Sequence, residues 1–176
     1  MTNAVLMASG LGTRMRPITE TTPKPLVKIH GMPMIETVIE CLQKAKIANI
    51  FIVVGYLSEQ FKYLEQKFSN VKLIFNPDYK IANNISSIYY ASDKIKQDDC
   101  FICEADLYVS DLNILDPFPS YSCYYGKMVK GYSDDWVFEL DNNGYIQRVG
   151  KGGRDCFNMV GFSFFKKRSG IYFQCY

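Results

Sequence analysis

The first 106 residues alternate short apolar runs with helical patterns, and that alternation leaves few folds open. Residues 3–8 (Asn-Ala-Val-Leu-Met-Ala) read as a strand that runs straight into a glycine-containing loop. Residues 34–45 read as a helix, with Pro33 suited to a helix start and Ile35, Val38, Ile39 and Leu42 at helical spacing. Residues 49–54 are uninterruptedly apolar, as expected of a strand buried on both faces. Ser58 is placed to cap a second helix carrying Phe61, Leu64 and Phe68. A strand at 71–75, a helix at 85–95 with Ile85, Ile88, Tyr89 and Ile95 inward, and a strand at 99–103 complete the series. A β-loop-α-β-α-β-α-β order calls for a parallel sheet with right-handed crossovers, and for ligands at the carboxyl ends of its strands.

The rest of the chain changes character. Residues 121–129, 136–140, 145–149 and 157–165 have strand patterns, and Asp141-Asn142-Asn143-Gly144 is a strong hairpin turn between two of them. A mostly parallel, mixed sheet with an antiparallel C-terminal extension fits, as one domain over residues 1–176.

Composition removes several classes of function. The net charge of +2 gives no support to a nucleic-acid or acidic-membrane partner. No apolar run approaches the roughly 20 residues that span a bilayer, and no secretory leader pattern opens the chain, so a cytoplasmic protein is expected. A single histidine, His30, excludes a His-rich metal site. Among Cys41, Cys100, Cys103, Cys123, Cys156 and Cys175, only Cys100 and Cys103 have C-x-x-C spacing, and they lie inside an apolar run. Reduced, mostly buried thiols are the expectation.

The loop after the first strand, Ser9-Gly10-Leu11-Gly12-Thr13-Arg14-Met15-Arg16-Pro17, carries the main chemical signal. Its glycines allow a sharp turn with N–H groups aimed at an anion, Thr13 adds a hydroxyl, and Arg14 and Arg16 add positive charge. That suits the phosphates of a nucleoside triphosphate. The dinucleotide fingerprint fails, because Met15 stands where a third Gly or Ala is needed and no acid ends the strand at Val54-Gly55. The P-loop fails for want of Gly-Lys-Ser/Thr. Downstream, Pro23 and Pro25 are expected to hold Lys24 in an extended segment from which its ammonium reaches the phosphates. Asp106, at a strand's carboxyl end, suits a hard oxygen ligand to Mg²⁺.

Leu6-x-Ala8-x-Gly10-x-Gly12-Thr13-Arg14-Met15-x-Pro17-x-Thr19, then Pro23-Lys24-Pro25-Leu26 and Pro33-Met34-Ile35, resembles the signature of the nucleotidyltransferases that make sugar nucleotides and related activated alcohols. Ser9 stands where that family more often has Ala or Gly. The resemblance implies a three-layer α/β/α, Rossmann-like (GT-A-like) nucleotidyltransferase fold, a triphosphate on the Gly-rich loop, and release of pyrophosphate. Within the superfamily the chain is most similar to bacterial CTP:phosphocholine cytidylyltransferases, from the first strand to about Phe165. Asn83-Asn84 with Ser87, Glu104-Ala105-Asp106-Leu107-Tyr108, and Asp135-Trp136 carry that closer likeness.

This closer resemblance implies CMP transfer from CTP to phosphocholine with Mg²⁺ on Asp106. Lys24 would stabilise the α-phosphate and Arg14 the departing pyrophosphate. Ala8, Ser9, Gly10, Leu11, Gly12 and Thr13 would line the nucleotide, with Asn83, Asn84 and Ser87 near the base and Glu104 beside the metal ligand. A quaternary ammonium offers no hydrogen to donate and is held by shape, cation–π attraction and negative charge. Trp136 matches the family's choline wall, Tyr108 is a second wall, and Lys151 or Arg154 would hold the acceptor phosphate. The plainer readings are Trp136 packed in the core or anchoring a strand, and 150–153 as a simple loop. A phosphate monoester, with its second pKa about 6, needs no general base.

One departure qualifies the resemblance. Relatives carry a second metal-binding carboxylate beyond the strand at 157–165, whereas residues 166–176 hold no Asp or Glu. A fragment lacking the family's C-terminal segment is thus an expectation, and nucleotide binding a firmer one than turnover. A sugar 1-phosphate or another phosphorylated alcohol as acceptor, and a nucleotide-binding module without turnover, are the alternatives. A homo-oligomer is compatible with the sequence.

Overall fold

In the computed structural model, residues 1–82 and 84–167 are described, so Asn83, Cys175 and the acid-free tail from residue 168 onward lie outside the described residues. The described chain divides into two compact units, Met1–Ser122 with the segment from Phe164, and Cys123–Ser163, where the sequence reading treated it as one domain. It is an α/β fold with a mostly parallel, mixed sheet.

In the first unit, strands β1 (Thr2–Ala8), β4 (Asn49–Val54), β5 (Val71–Phe75) and β6 (Asp99–Glu104) form the sheet in the order β5-β4-β1-β6. Two short strands between them, β2 (Lys28–Ile29) and β3 (Met32–Pro33), pair separately as an antiparallel hairpin. The sheet pairs are parallel, with Ala8 opposite Val54 and Met7 opposite Glu104. The carboxyl ends of the three central strands therefore share one edge. Val5, Phe51, Val53, Cys100 and Ile102 pack on one face with Ala91 and Ile95. Ala4, Leu6, Ile50 and Ile52, on the alternate side, are equally buried. Helix α1 (Met34–Lys44) buries Ile35, Val38, Ile39 and Leu42 completely, each side chain contributing on the order of 2 kcal/mol of hydrophobic stabilisation.

Two helices differ from the sequence reading. From Ser58 the chain makes a 3-10 turn (Ser58–Phe61) and then the short helix α2 (Tyr63–Lys67). Ser58 is not its cap: Leu57 holds that place at φ 49°, and no side chain bonds to the turn's free N–H groups. The helix expected at 85–95 is two, α3 (Asn84–Tyr90) and α4 (Ser92–Gln97), which meet at Ala91. Ile85 and Tyr89, expected inward, are 54% and 64% exposed. The buried arc is instead Ser86, Ser87 and Ala91, because α3 turns its serines toward a buried asparagine, Asn76.

In the second unit, β7 (Cys123–Leu140) and β8 (Ile146–Phe165, its last two residues belonging to the first unit) are neighbours joined by the expected turn. Asp141 Oδ1 accepts from the N–H groups of Asn143 and Tyr145, both at 2.9 Å. Each long strand merges two that the sequence separates. Within β7, between the two runs that the sequence separates, Gly131 adopts φ 84° and donates its N–H to Asp155 Oδ1 at 2.8 Å. The glycine-rich segment 150–153, for which a simple loop is the plainer reading, lies inside β8. Among the described residues, no helix is long and apolar enough to cross a membrane.

Candidate active site

Immediately after β1 the chain makes the glycine turn. Gly12 adopts φ 63°, and a Cβ there would lie 3.0 Å from Thr19 Cγ2 and 3.2 Å from Lys24 Cβ. Handedness and space both demand glycine. Thr19, nearly fully buried, donates its hydroxyl to the Gly12 carbonyl at 2.8 Å, and Met15 N–H donates to the same oxygen at 2.9 Å. A series of 3-10 turns then carries the chain to Lys24. Lys24 is not extended, as the sequence reading expected, but opens a 3-10 turn closed by Leu26 N–H on the Pro23 carbonyl at 2.8 Å. Pro23 and Pro25 are buried and anchor that turn, leaving the half-buried Lys24 ammonium to point into the cavity above β1.

That cavity, about 260 Å³, is lined by residues from the glycine turn, by Arg14, Lys24 and Asn84, and by Glu104 and Asp106. Asp106 follows β6 by two residues, and its Oδ2 forms an ion pair with Lys24 Nζ. The loop bearing Asp106 is pinned by Thr37 of α1. The buried Thr37 hydroxyl accepts from Val109 N–H at 2.9 Å and donates to the Met34 carbonyl at 2.7 Å. Two cations thus face two carboxylates across one small space.

A family model described as nucleotidyl transferase matches residues 3–119, well over half of the chain and the whole of this cavity. The chain belongs to the nucleotidyl transferase family. Within that family it is 56% identical, over 93% of its length and 67% of the relative's, to 2-aminoethylphosphonate cytidylyltransferase of Lancefieldella rimae. It is 38% identical, over 92% of its length and 68% of the relative's, to choline-phosphate cytidylyltransferase of Haemophilus influenzae. The solved structure of CTP:phosphocholine cytidylyltransferase from Streptococcus pneumoniae superposes with a TM-score of 0.85 at 33% identity, covering 94% of this chain and 71% of that one. The chain spans about two thirds of the length of the relatives it matches.

Of the residues singled out by sequence, Ala8, Ser9, Gly10, Gly12, Thr13, Arg14, Lys24, Asn84, Glu104 and Asp106 line this nucleotidyltransferase cavity. Leu11 does not. Ser87, expected near the base, is 1% exposed, and its hydroxyl meets Ser9 Oγ at 2.8 Å; it supports the turn from behind. Tyr108 is exposed, its ring edge-on to His30 at 5.8 Å. Trp136, Lys151 and Arg154 belong to the second unit. There Trp136 is 56% exposed, which overturns the reading of a core tryptophan, and Lys151 and Arg154 are exposed within β8. Met7 lines the cavity without having been singled out, and so does Pro25, to which the sequence reading assigned only the role of holding Lys24. The anchors Asn76, Ser86 and Thr37 also escaped the sequence reading, since nothing but burial distinguishes them.

Among the described residues, four of the five cysteines are buried, as expected, and Cys123 is partly so. Cys41, Cys100, Cys103, Cys123 and Cys156 are free. Burial pushes Cys41 up to about 11 and Cys100 up to about 12, and holds Cys103 well above the ordinary thiol range.

Proposed function

We propose that this chain transfers CMP from CTP to a small acceptor bearing a phosphonate or phosphate at one end and an amine or ammonium at the other. 2-Aminoethylphosphonate is the favoured acceptor, with phosphocholine second. One observation carries the reading: the glycine turn, Arg14 and Lys24 converge opposite Asp106 and Glu104 at the carboxyl ends of β1 and β6. The order of acceptors follows identity, 56% against 38% over nearly the same stretch. Trp136, whose indole is exposed, is the head-group wall that the family resemblance suggests, and it would suit a cationic head group of either kind, because cation–π attraction asks for charge and not for an N–H.

The chain's residues position and neutralise. N–H groups of the glycine turn and the Arg14 guanidinium hold the triphosphate tail, and Lys24 attracts the α-phosphate oxygens. An anionic oxygen of the acceptor attacks the α-phosphorus in line. The new P–O bond forms as the bond to the bridging α–β oxygen breaks, and pyrophosphate leaves with the electron pair. The acceptor oxygen already carries charge, so no side chain need remove a proton.

The donor set fits Mg²⁺. Lys24 and Arg14 cancel Glu104 and Asp106, so a triphosphate brings charge that the cavity alone does not offset. Among the described residues no three His, Cys, Asp or Glu side chains cluster. Asp106, with Glu104 beside it, would therefore share the ion with phosphate oxygens and water, which is how Mg²⁺ is commonly held. When bound, Mg²⁺ supplies neutralisation of the phosphate charge. CTP as donor is consistent with a cytoplasmic enzyme.

Pyrophosphate release from CTP and Mg²⁺ with each acceptor in turn tests the proposal. Faster turnover with 2-aminoethylphosphonate supports the first reading, and faster turnover with phosphocholine the second. Release with neither, at any enzyme concentration, overturns both. For whichever acceptor is used, Trp136→Ala should lower kcat/KM about tenfold while leaving CTP affinity unchanged.

A further inference from the structure

Asn76 does not itself line the cavity, yet it ties together the two elements that flank it. It is fully buried one residue past β5, and its backbone N–H donates to the Val54 carbonyl at 2.8 Å. The orientation of its side-chain amide is fixed, because Asp78 N–H, which can only donate, lies 2.9 Å from Asn76 Oδ1. Nδ2 therefore faces three serine hydroxyls: Ser86 Oγ at 2.9 Å, Ser9 Oγ at 3.3 Å and Ser87 Oγ at 3.4 Å. Ser9 is the first residue of the glycine turn, and its carbonyl also accepts from Tyr56 N–H at 3.1 Å. Ser86 and Ser87 lie on α3, whose first residue, Asn84, lines the cavity from another side.

The proton count constrains this cluster, and either Ser9 or Ser87 can be the donor between them. Nδ2 can only donate, so every serine hydroxyl hydrogen must point away from Asn76. Ser9 Oγ and Ser87 Oγ lie 2.8 Å apart, and one hydrogen joins them. If Ser87 supplies it, the hydrogen on Ser9 is left to point elsewhere, and Ser9 is the member that lines the cavity. An acceptor oxygen on a bound nucleotide can take it.

We infer that Asn76 is a positioning residue for nucleotide binding that sets the spacing between the glycine turn and Asn84 and, with Ser87 donating to Ser9, leaves the Ser9 hydroxyl hydrogen for the ligand. The inference rests on the reading that CTP occupies the glycine turn.

The test is the dissociation constant for CTP with Mg²⁺, measured by calorimetry on the 176-residue chain well below each variant's Tm. Asn76→Asp keeps the shape but replaces a donor by an acceptor, so the serine hydrogens must turn back toward it; a loss of roughly tenfold or more is expected. Ser87→Ala, a helix-compatible change, should cost roughly three- to tenfold. With both changes together, the loss should match Asn76→Asp alone within about twofold, since the two act through one cluster. Should Asn76→Asp fail to fold, Ser87→Ala decides by itself. Variants with lowered Tm but unchanged CTP affinity, or losses that simply multiply, overturn the inference and leave the proposed function standing. Absence of CTP binding by the unsubstituted chain overturns the proposed function itself.

Discussion

Lys24 Nζ pairs with Asp106 Oδ2 inside the cavity that both residues line, so in this state each neutralises the other. In the proposed reaction the two would have different uses: Lys24 would attract phosphate oxygens and Asp106 would hold a cation, and neither serves while bound to the other. Removing the carboxylate should therefore have opposite effects in two conditions. With EDTA present, Asp106→Ala should bind CTP about three- to tenfold more tightly than the unsubstituted chain, because Lys24 is free and a negative charge is gone. With Mg²⁺ present it should bind more weakly and release no pyrophosphate. Equal metal-free affinity in the two proteins would mean that the pair has no bearing on nucleotide binding.

Gly12→Ala asks whether the turn tolerates any side chain. The methyl group would sit at positive φ and press on Thr19 Cγ2 at 3.0 Å, and Thr19 is buried and bonded to Gly12's own carbonyl. A cost of about 2 kcal/mol is expected, or about 4–8 °C in Tm for a chain of this size. Gly10→Ala is the contrast: a Cβ there meets nothing within 4 Å, so Tm should hold. Similar thermal shifts for both would refute the steric account.

The pattern of what the sequence showed follows from which interactions are local. Strand β4 and helix α1 were legible because apolar periodicity is written in consecutive residues, and the glycine turn because backbone handedness demands particular residue types at fixed spacing. Helix α3 was misread at Ile85 and Tyr89. Its inward face is set by Asn76, ten residues from Ser86, and hydrophobic periodicity does not register a polar buried face. The extended form expected for Lys24 failed for a related reason: the burial of Pro23 and Pro25 is decided by the whole unit and not by the dipeptides. Lys24 and Asp106 were each singled out for their chemistry, but their pairing joins residues far apart in the chain, which the sheet register brings to one edge.

Thr37 tests the anchoring of the Asp106 loop without touching the cavity. Thr37→Val preserves volume but leaves Val109 N–H, in a buried residue, without its acceptor. A stability loss of about 1–3 kcal/mol is expected, and Thr37→Ser should escape most of that loss because the hydroxyl remains. The same order should appear in the Mg²⁺ dependence of CTP binding, as the loop carrying Asp106 loosens. If Thr37→Val and Thr37→Ser are equally stable, the hydroxyl is not what holds the loop.

The buried thiols give the fold a sensitivity to alkali whose sign can be stated in advance. Cys41 and Cys100 ionise near 9 when unfolded but only at about 11 and about 12 in the folded chain. Between these limits the unfolded state has lost protons that the folded state keeps. Stability is thus full below pH 9 and falls as pH rises toward 12. Tyr63, raised by burial and by its hydrogen bond to Glu36, adds in the same direction. Urea midpoints at pH 8, 9.5 and 10.5 should decline, and Cys100→Ala should decline less steeply whatever its own offset at pH 8. The companion measurement is thiol titration at pH 8. Cys41, Cys100 and Cys103 should stay silent toward a bulky disulfide reagent until denaturant is added, because burial withholds both the thiolate and access to it. Rapid labelling of all three in the native chain, or an identical pH slope in Cys100→Ala, would show that these cysteines are not held as the structure has them.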